Sequence, residues 1–170
     1  MKLKLLVLAL IASMSMSAFA GFMVEPYVGT GTYATSFDVA AAEDEEVSGE
    51  SYTTAGGRLG YSFSLLSAGL DYELMSLDDT TVTNTGLFVG VDLPILFRFY
   101  GKYIFNSDFD NDDVDLDFQS GTVLGVGFTG LPFVVINLEV SSLLYTFDFS
   151  GNDVDAAVAA TALTISLPLP

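Results

Sequence analysis

Side chains of two chemical types alternate with a period of two residues in eight separate segments of this 170-residue chain. In each segment one set of alternate positions is mostly Val, Leu, Ile, Phe and Tyr, and the other is mostly Gly, Ala, Ser, Thr and Asn with nearly every charge. A period of two is the periodicity of a β-strand, so the sequence predicts an all-β protein of eight strands. The segments cover residues 24–31, 54–63, 68–74, 86–93, 97–105, 121–128, 134–141 and 162–167.

The predicted connections alternate between short and long. Pro94 and Pro132 lie in short turns at strand ends, as the missing N–H of proline requires. Both chain ends and the short turns are therefore expected at one end of an up-and-down sheet, and the long loops at the other. The short turns are predicted at 64–67, 93–96 and 129–132, and the long loops at 34–51, 76–83, 106–117 and 148–155.

The direction of the two faces follows from the size of the predicted barrel. Hydrophobic residues make up 51% of the chain, yet after residue 20 no apolar run approaches the ~18–20 residues of a membrane-spanning helix. Eight strands closed into a barrel leave an interior just wide enough for side chains. The small face is therefore expected inside and the bulky face outside, against lipid. A soluble lipocalin-like periplasmic barrel, with bulky residues turned inward around a ligand, is the alternative.

Aromatic residues near the predicted strand ends are typical of the two interfacial girdles of a membrane barrel. The girdle predicted at the short-turn end consists of Phe63, Phe97, Phe128 and Phe133. The girdle predicted at the long-loop end consists of Tyr33, Tyr52, Phe105, Tyr145 and Phe147.

The first 20 residues have the three parts of a secretory signal peptide. Lys2 and Lys4 precede the apolar stretch 5–12, and the small residues Ala18 and Ala20 predict cleavage after Ala20. A membrane anchor is the less favoured interpretation, because this apolar stretch is only about half the length of a membrane span. Residues 1–20 are therefore expected to direct export.

The expected mature domain is residues 21–170. It carries all 22 acidic residues but only three basic ones, namely Arg58, Arg98 and Lys102. So acidic a domain argues against nucleic acid as a partner.

The segment Pro26-Tyr27-Val28-Gly29-Thr30-Gly31 is similar to the Gly-rich first strand of small outer-membrane barrels. With its signal peptide, eight alternating segments and long loops at one end, the chain resembles the OmpA/OmpX type of these proteins. The resemblance implies a monomeric, eight-stranded antiparallel up-and-down transmembrane β-barrel in the outer membrane, in contact with membrane lipid and lipopolysaccharide. Leu167-Pro168-Leu169-Pro170 departs from the terminal aromatic residue of such barrels, and the peptidoglycan-binding domain of OmpA is not expected.

The predicted lumen contains charged residues of both signs. A charge in a narrow, poorly hydrated lumen is costly unless it is paired, so an internal network of ion pairs is expected. Such a network either plugs the barrel, the favoured interpretation, or lines a gated path for water and cations. Its predicted members are Glu25, Arg58, Asp71, Glu73, Asp92, Arg98, Lys102 and Glu139.

All other acidic residues are expected in the four long loops, where they favour extended, hydrated chains. An Asp-rich run could also bind Ca²⁺ weakly, since hard oxygen ligands at alternate positions can converge on this ion. The run is not an EF-hand, because it lacks the Gly and the Glu that such a loop requires at its sixth and twelfth positions. The candidate ligands are Asp108, Asp110, Asp112, Asp113, Asp115 and Asp117.

The sequence contains neither histidine nor cysteine. Catalytic constellations that use an imidazole base or a thiolate are therefore excluded, and no cofactor is expected. Asp71 and Glu73 could do acid–base work only if one were neutral, and neighbouring cations would keep both ionised. The sequence thus predicts a non-catalytic barrel with a structural or cell-surface role, with a narrow cation-preferring pore as the alternative.

Overall fold

Eight β-strands account for most of the described chain. The computed structural model describes residues 21–38, 49–77, 80–110, 117–149 and 152–169, so the predicted signal peptide lies outside it. Within these ranges no helix is long and apolar enough to cross a membrane. The strands are β1 (Gly21–Asp38), β2 (Glu50–Phe63), β3 (Leu66–Leu77), β4 (Thr80–Leu93), β5 (Phe97–Phe109), β6 (Asp117–Leu131), β7 (Val134–Phe149) and β8 (Asn152–Ser166).

The strands form one closed barrel in which every strand pairs antiparallel with its neighbours in sequence, and β1 pairs with β8. Hydrogen bonding to β1 continues beyond the end of β8. The Leu169 N–H donates to the Val24 carbonyl at 2.8 Å, and the Leu167 N–H donates to the Pro26 carbonyl at 3.0 Å. Each strand is thus paired on both sides, although the β5–β6 ladder ends at Ile104 and Gly121. The predicted fold class, an eight-stranded antiparallel up-and-down barrel, is confirmed.

Several strands are longer than predicted. The predicted long loops 76–83 and 148–155 are largely strand, because β4 begins at Thr80 and β8 at Asn152. The β-branched run 80–83 suits a strand, and ladder pairing continues as far as Phe149 with Asn152. The polarity of these two segments predicts loops. A paired strand nevertheless accepts polar residues on a face that meets water.

The three tight turns each contain a residue with positive φ, at Ser64 (56°), Leu96 (68°) and Phe133 (66°). Such a conformation is uncommon for Leu and Phe, and the two-strand connection enforces it. The third turn lies at residues 132–133, later than predicted, because β6 continues to Leu131 through a register shift.

The bulky face of the strands points outward, as predicted. Outward Leu70, Val89 and Leu124 are 51–71% exposed. This is the opposite of the lipocalin arrangement, in which the bulky face would surround a ligand. An apolar surface therefore faces outward on the strands that carry these residues.

The predicted aromatic girdle at the long-loop end is wrong for three of its members. Tyr52 and Tyr145 are buried inside the barrel, at 5% and 2% exposed, and Tyr33 lies against the same apolar cluster as Tyr52. The reason is parity, because Tyr52 shares its alternate set with inward Arg58, and Tyr33 shares its set with inward Glu25.

The remaining aromatic residues of the two predicted girdles are placed as follows. Phe105 is 49% exposed at the long-loop end. Exposed aromatic side chains also lie near the short-turn end, namely Phe63, Phe97, Phe128 and Phe133. The side chain of Phe147 lies outside the described residues.

Candidate functional site

The structure places all eight predicted lumen residues inside the barrel. Seven of them are buried, and Asp92 is partly exposed. Their strands bring them together because each lies on the inward set of alternate positions, and adjacent strands hold them in register, as for Glu25 opposite Arg58 and Arg58 opposite Asp71. The structure thus gathers residues that are far apart in the sequence into one cluster.

Arg58 is at the centre of this cluster. Its guanidinium donates to three carboxylates, from Nη1 to Glu25 Oε1 at 2.9 Å, from Nε to Asp71 Oδ2 at 3.2 Å and from Nη2 to Glu139 Oε1 at 2.8 Å. The planar guanidinium suits this use, because its five N–H donors have fixed directions. Arg58 therefore joins β1, β3 and β7 from its own position on β2.

Two tyrosines stack on Arg58. Its Cζ lies 4.9 Å from the ring centroid of Tyr27 and 4.3 Å from that of Tyr100, distances at which a cation–π attraction acts. The Tyr27 hydroxyl donates to Asp71 Oδ1 at 3.1 Å, and the Tyr100 hydroxyl donates to Glu139 Oε1 at 2.5 Å. Both rings thus fill space beside the cation and hydrogen-bond to its carboxylate partners.

Sequence reasoning did not assign these two tyrosines to the site. Tyr27 follows Glu25 by two positions, and Tyr100 lies between Arg98 and Lys102 on the same alternate set. Parity with the charged residues was the available signal. The predicted network consists of charged residues alone, so it does not include the two rings.

Arg98 and Lys102 complete the ion pairing. Arg98 Nη1 lies 2.5 Å from Glu25 Oε2, and its Nε lies 2.7 Å from Asp92 Oδ1. Lys102 Nζ lies 3.0 Å from Glu139 Oε2 and 3.4 Å from Asp71 Oδ2. Glu25, Asp71 and Glu139 therefore each bridge two cations.

Glu73 differs from the other four carboxylates, because it forms no ion pair within the described residues. Its Oε1 accepts a hydrogen bond from the Thr54 hydroxyl at 2.7 Å. The side chain borders a cavity of about 10 Å³, near the lower limit for holding one water molecule, next to Glu139 and Asn84. The lumen at this level is filled by side chains and has room for little else.

Solved structures share this arrangement of strands. A designed transmembrane β-barrel has 12% sequence identity to this chain, covers 86% of it and 95% of its own length, and superposes with a TM-score of 0.53. Ail, the attachment invasion locus protein of Yersinia pestis, solved in complex with the heparin analogue sucrose octasulfate, has 10% identity, covers 86% of this chain and 99% of its own, and gives a TM-score of 0.50. The chain therefore has the fold of a small, closed eight-stranded β-barrel, shared with these two membrane barrels.

At 10–12% sequence identity, this barrel is similar to the two structures in fold alone. No protein-family pattern matches its sequence, and no curated protein does. The interior of the barrel therefore has to be interpreted from its own residues.

Gly125 makes room for Tyr100 in the wall of the barrel. A Cβ at Gly125 would overlap the ring of Tyr100, whereas one at Gly101 would find its nearest neighbour at 3.8 Å. We expect Gly125→Ala to lower the free energy of unfolding by about 1–3 kcal/mol, through displacement of Tyr100 from Arg58. Gly101→Ala is the matched control and should change it by no more than about 0.5 kcal/mol.

Urea unfolding of the two glycine variants in lipid vesicles measures this difference. Equal midpoints for the two would contradict the inference that contact between Tyr100 and Gly125 holds the ring on Arg58.

The predicted Ca²⁺ site lies only partly within the described residues of the barrel. Asp112, Asp113 and Asp115 lie outside them. Asp108 and Asp117 are exposed on β5 and β6, and Asp108 Oδ2 accepts a hydrogen bond from Asn106 Nδ2 at 2.6 Å. Asp110, also exposed, follows β5 directly. No group of acidic residues suited to a metal ion occurs in the described part of the chain, and weak Ca²⁺ binding stays a prediction.

Proposed function

We propose that this protein is a non-catalytic, monomeric barrel of the outer membrane with a structural or cell-surface role. In this proposal the amino terminus of the exported chain lies in the periplasm, and the acidic loops face the outside. One observation carries it, namely a lumen filled by buried ion pairs inside a wall whose apolar face points outward. Such a barrel has a surface that suits lipid and an interior that suits a plug.

The outer-membrane location draws on three features. The exposed apolar side chains of the wall suit hydrocarbon and not water. The fold is shared with Ail, and the predicted signal peptide would export the chain. Membrane lipid and lipopolysaccharide are accordingly the proposed surroundings of the wall.

The chemistry of the lumen supports a non-catalytic role. Asp71 and Glu139 each contact two cations and are thereby engaged in ion pairs. The sequence supplies no histidine or cysteine to act as base or nucleophile. The carboxylates therefore serve as ion-pair partners in this proposal.

A narrow cation-preferring pore is the second candidate. The excess of carboxylates over cations in the lumen favours it, because such an interior attracts positive ions. Against it, Arg58 and the rings of Tyr27 and Tyr100 lie across the interior in mutual contact. An ion would have to displace Arg58 from three carboxylates.

Single-channel recording separates the two candidates. We expect the refolded chain of residues 21–170 to insert into a planar bilayer without discrete conductance steps under a KCl gradient. Insertion is checked independently by co-flotation of the protein with lipid vesicles. Discrete cation-selective steps from inserted protein would replace the structural proposal with the pore.

A further inference from the structure

The outward face of the barrel changes chemistry at one level along each of the eight strands. On the short-turn side of this level the outward residue is apolar, and two positions further along the strand, or one at the bulge in β5, it is Thr, Ser or Asn. The pairs are Val28 and Thr30, Ala55 and Thr53, Leu74 and Ser76, Leu87 and Thr85, Phe105 and Asn106, Leu124 and Thr122, Val140 and Ser142, and Leu163 and Thr161. We call this level the polarity line.

The bulge in β5 keeps that strand in step with the others. Thr85 pairs with Asn106 but Gly86 pairs with Ile104, so Phe105 is the extra residue. As a result Ser107, and not Asn106, points into the barrel, where it is 5% exposed.

The inward face changes in the opposite sense near the same level. On the short-turn side it carries the ion-pair network. Close to the polarity line and beyond it, the inward face carries two apolar clusters of buried residues, one of Tyr52, Met75, Val82, Ala160 and Ala162, and one of Ile104, Val123, Leu143, Tyr145 and Ala156. Met75, Ile104, Val123 and Ala162 lie at the line or just on its short-turn side, and the other six lie beyond it. The polar groups there are satisfied, since the Ser107 hydroxyl donates to Asn84 Oδ1 at 2.7 Å and lies 2.9 Å from the Tyr145 hydroxyl.

We propose that the part of the barrel beyond the polarity line stands in water outside the bilayer, and that its apolar interior closes the lumen from that side. We call this part the collar. It consists of the strand residues 30–38, 50–53, 76–77, 80–85, 106–109, 117–122, 142–149 and 152–161. The inference rests on the proposed function, since it assumes that the apolar wall lies in lipid.

The solvent on each side of the polarity line follows from the two faces. A polar exterior around an apolar core is the arrangement of a barrel in water, and an apolar exterior around a polar interior is that of a barrel in lipid. Exposed carboxylates at Asp108, Asp117 and Asp155 belong to the collar, and hydrocarbon would disfavour them strongly. Lipid contact therefore ends at the polarity line.

The network is correspondingly accessible from one side. Its most exposed side chains are those of Asp92 and Arg98, at 15% and 10%, whereas those of Arg58, Lys102 and Glu25 are 0–2% exposed. Asp92 lies next to Leu93, the last residue of β4 before the short turn, and Arg98 is the second residue of β5 after that turn. Water and ions thus reach the network from the short-turn end, while the collar core closes the other end.

Single cysteines test the inference, because the chain has none of its own. Two matched pairs on neighbouring positions are Leu163→Cys with Thr161→Cys on β8, and Leu124→Cys with Thr122→Cys on β6. All four sites are exposed on the bare protein, so a difference in reactivity reports the surrounding solvent. The probe is a methanethiosulfonate with a permanently charged ammonium group, applied to the refolded barrel in phosphatidylcholine vesicles.

We expect both collar cysteines to react at least about tenfold faster than their partners across the polarity line, since a charged reagent is excluded from hydrocarbon. Ser107→Cys, inside the collar core, should stay unreactive until the protein is unfolded in urea. Unfolding should also make the members of each pair react equally.

The alternative outcomes are distinct. Protection of all four outward cysteines would overturn the collar and leave the membrane barrel standing. Rapid reaction of all four would show that the wall is not in lipid, which would overturn both the proposed function and the collar. Rapid reaction of Ser107→Cys in the folded barrel would overturn closure by the collar core.

Discussion

Arg58→Leu is expected to lower the free energy of unfolding of the barrel by about 3–5 kcal/mol. The substitution leaves the carboxylates of Glu25, Asp71 and Glu139 without the cation that they share. All three lie in the interior, where an unpaired charge is far more costly than at the surface. Urea unfolding in lipid vesicles at neutral pH measures the loss.

The double variant Arg58→Leu, Glu139→Gln separates loss of charge balance from loss of packing. Removing one carboxylate relieves part of the imbalance, so the double variant should be less destabilised than the sum of the single variants, by about 0.5–3 kcal/mol. An Arg58→Leu protein as stable as the original would contradict the inference that Arg58 neutralises buried carboxylates. A double variant that equals the sum would show that the cost of Arg58→Leu comes from packing against Tyr27 and Tyr100.

Leu70→Arg is expected to lower the free energy of unfolding in vesicles by about 2–4 kcal/mol, as a charge facing the middle of the hydrocarbon does. Leu70 lies halfway along the apolar outward series of β3 between Leu66 and Leu74, and it is 51% exposed on the bare protein. Ser76→Arg, on the same face of the same strand but beyond the polarity line, is the matched control. It should change stability by no more than about 0.5 kcal/mol.

Thermal or urea unfolding of these two variants should be compared in vesicles and in a detergent with a thin micelle. Equal stability of Leu70→Arg and Ser76→Arg in vesicles would contradict lipid contact at Leu70. A cost at Ser76 as large as that at Leu70 would move the lipid boundary beyond the polarity line.

The sequence predicted the strands well where alternation was regular. The run from Ala68 to Leu74 alternates without exception, and it lies within β3. The predicted strands are too short where polar residues indicate a loop, as at Thr80–Thr83 and Asn152–Asp155, which are strand in the structure. Pairing with a neighbouring strand decides such segments, and pairing cannot be seen in one segment alone.

The members of the candidate site were predictable, and their contacts were not. Each charged residue lies on the inward set of its own strand, which alternation alone indicates. That Arg58 reaches Glu139, which is 81 residues away in the sequence, depends on closure and register of the barrel. The same holds for Tyr27 and Tyr100, whose rings meet Arg58 from two other strands.

By itself the sequence determined the fold class, the outward direction of the bulky face and the charge of the interior, because a period of two and the narrow interior of an eight-stranded barrel leave few alternatives. Only the tertiary structure decided which carboxylates share Arg58 and that the rings of Tyr27 and Tyr100 meet its guanidinium. These features depend on how far each strand is shifted against the next. That shift is set by pairing around the whole closed wall, and no single segment of the sequence specifies it.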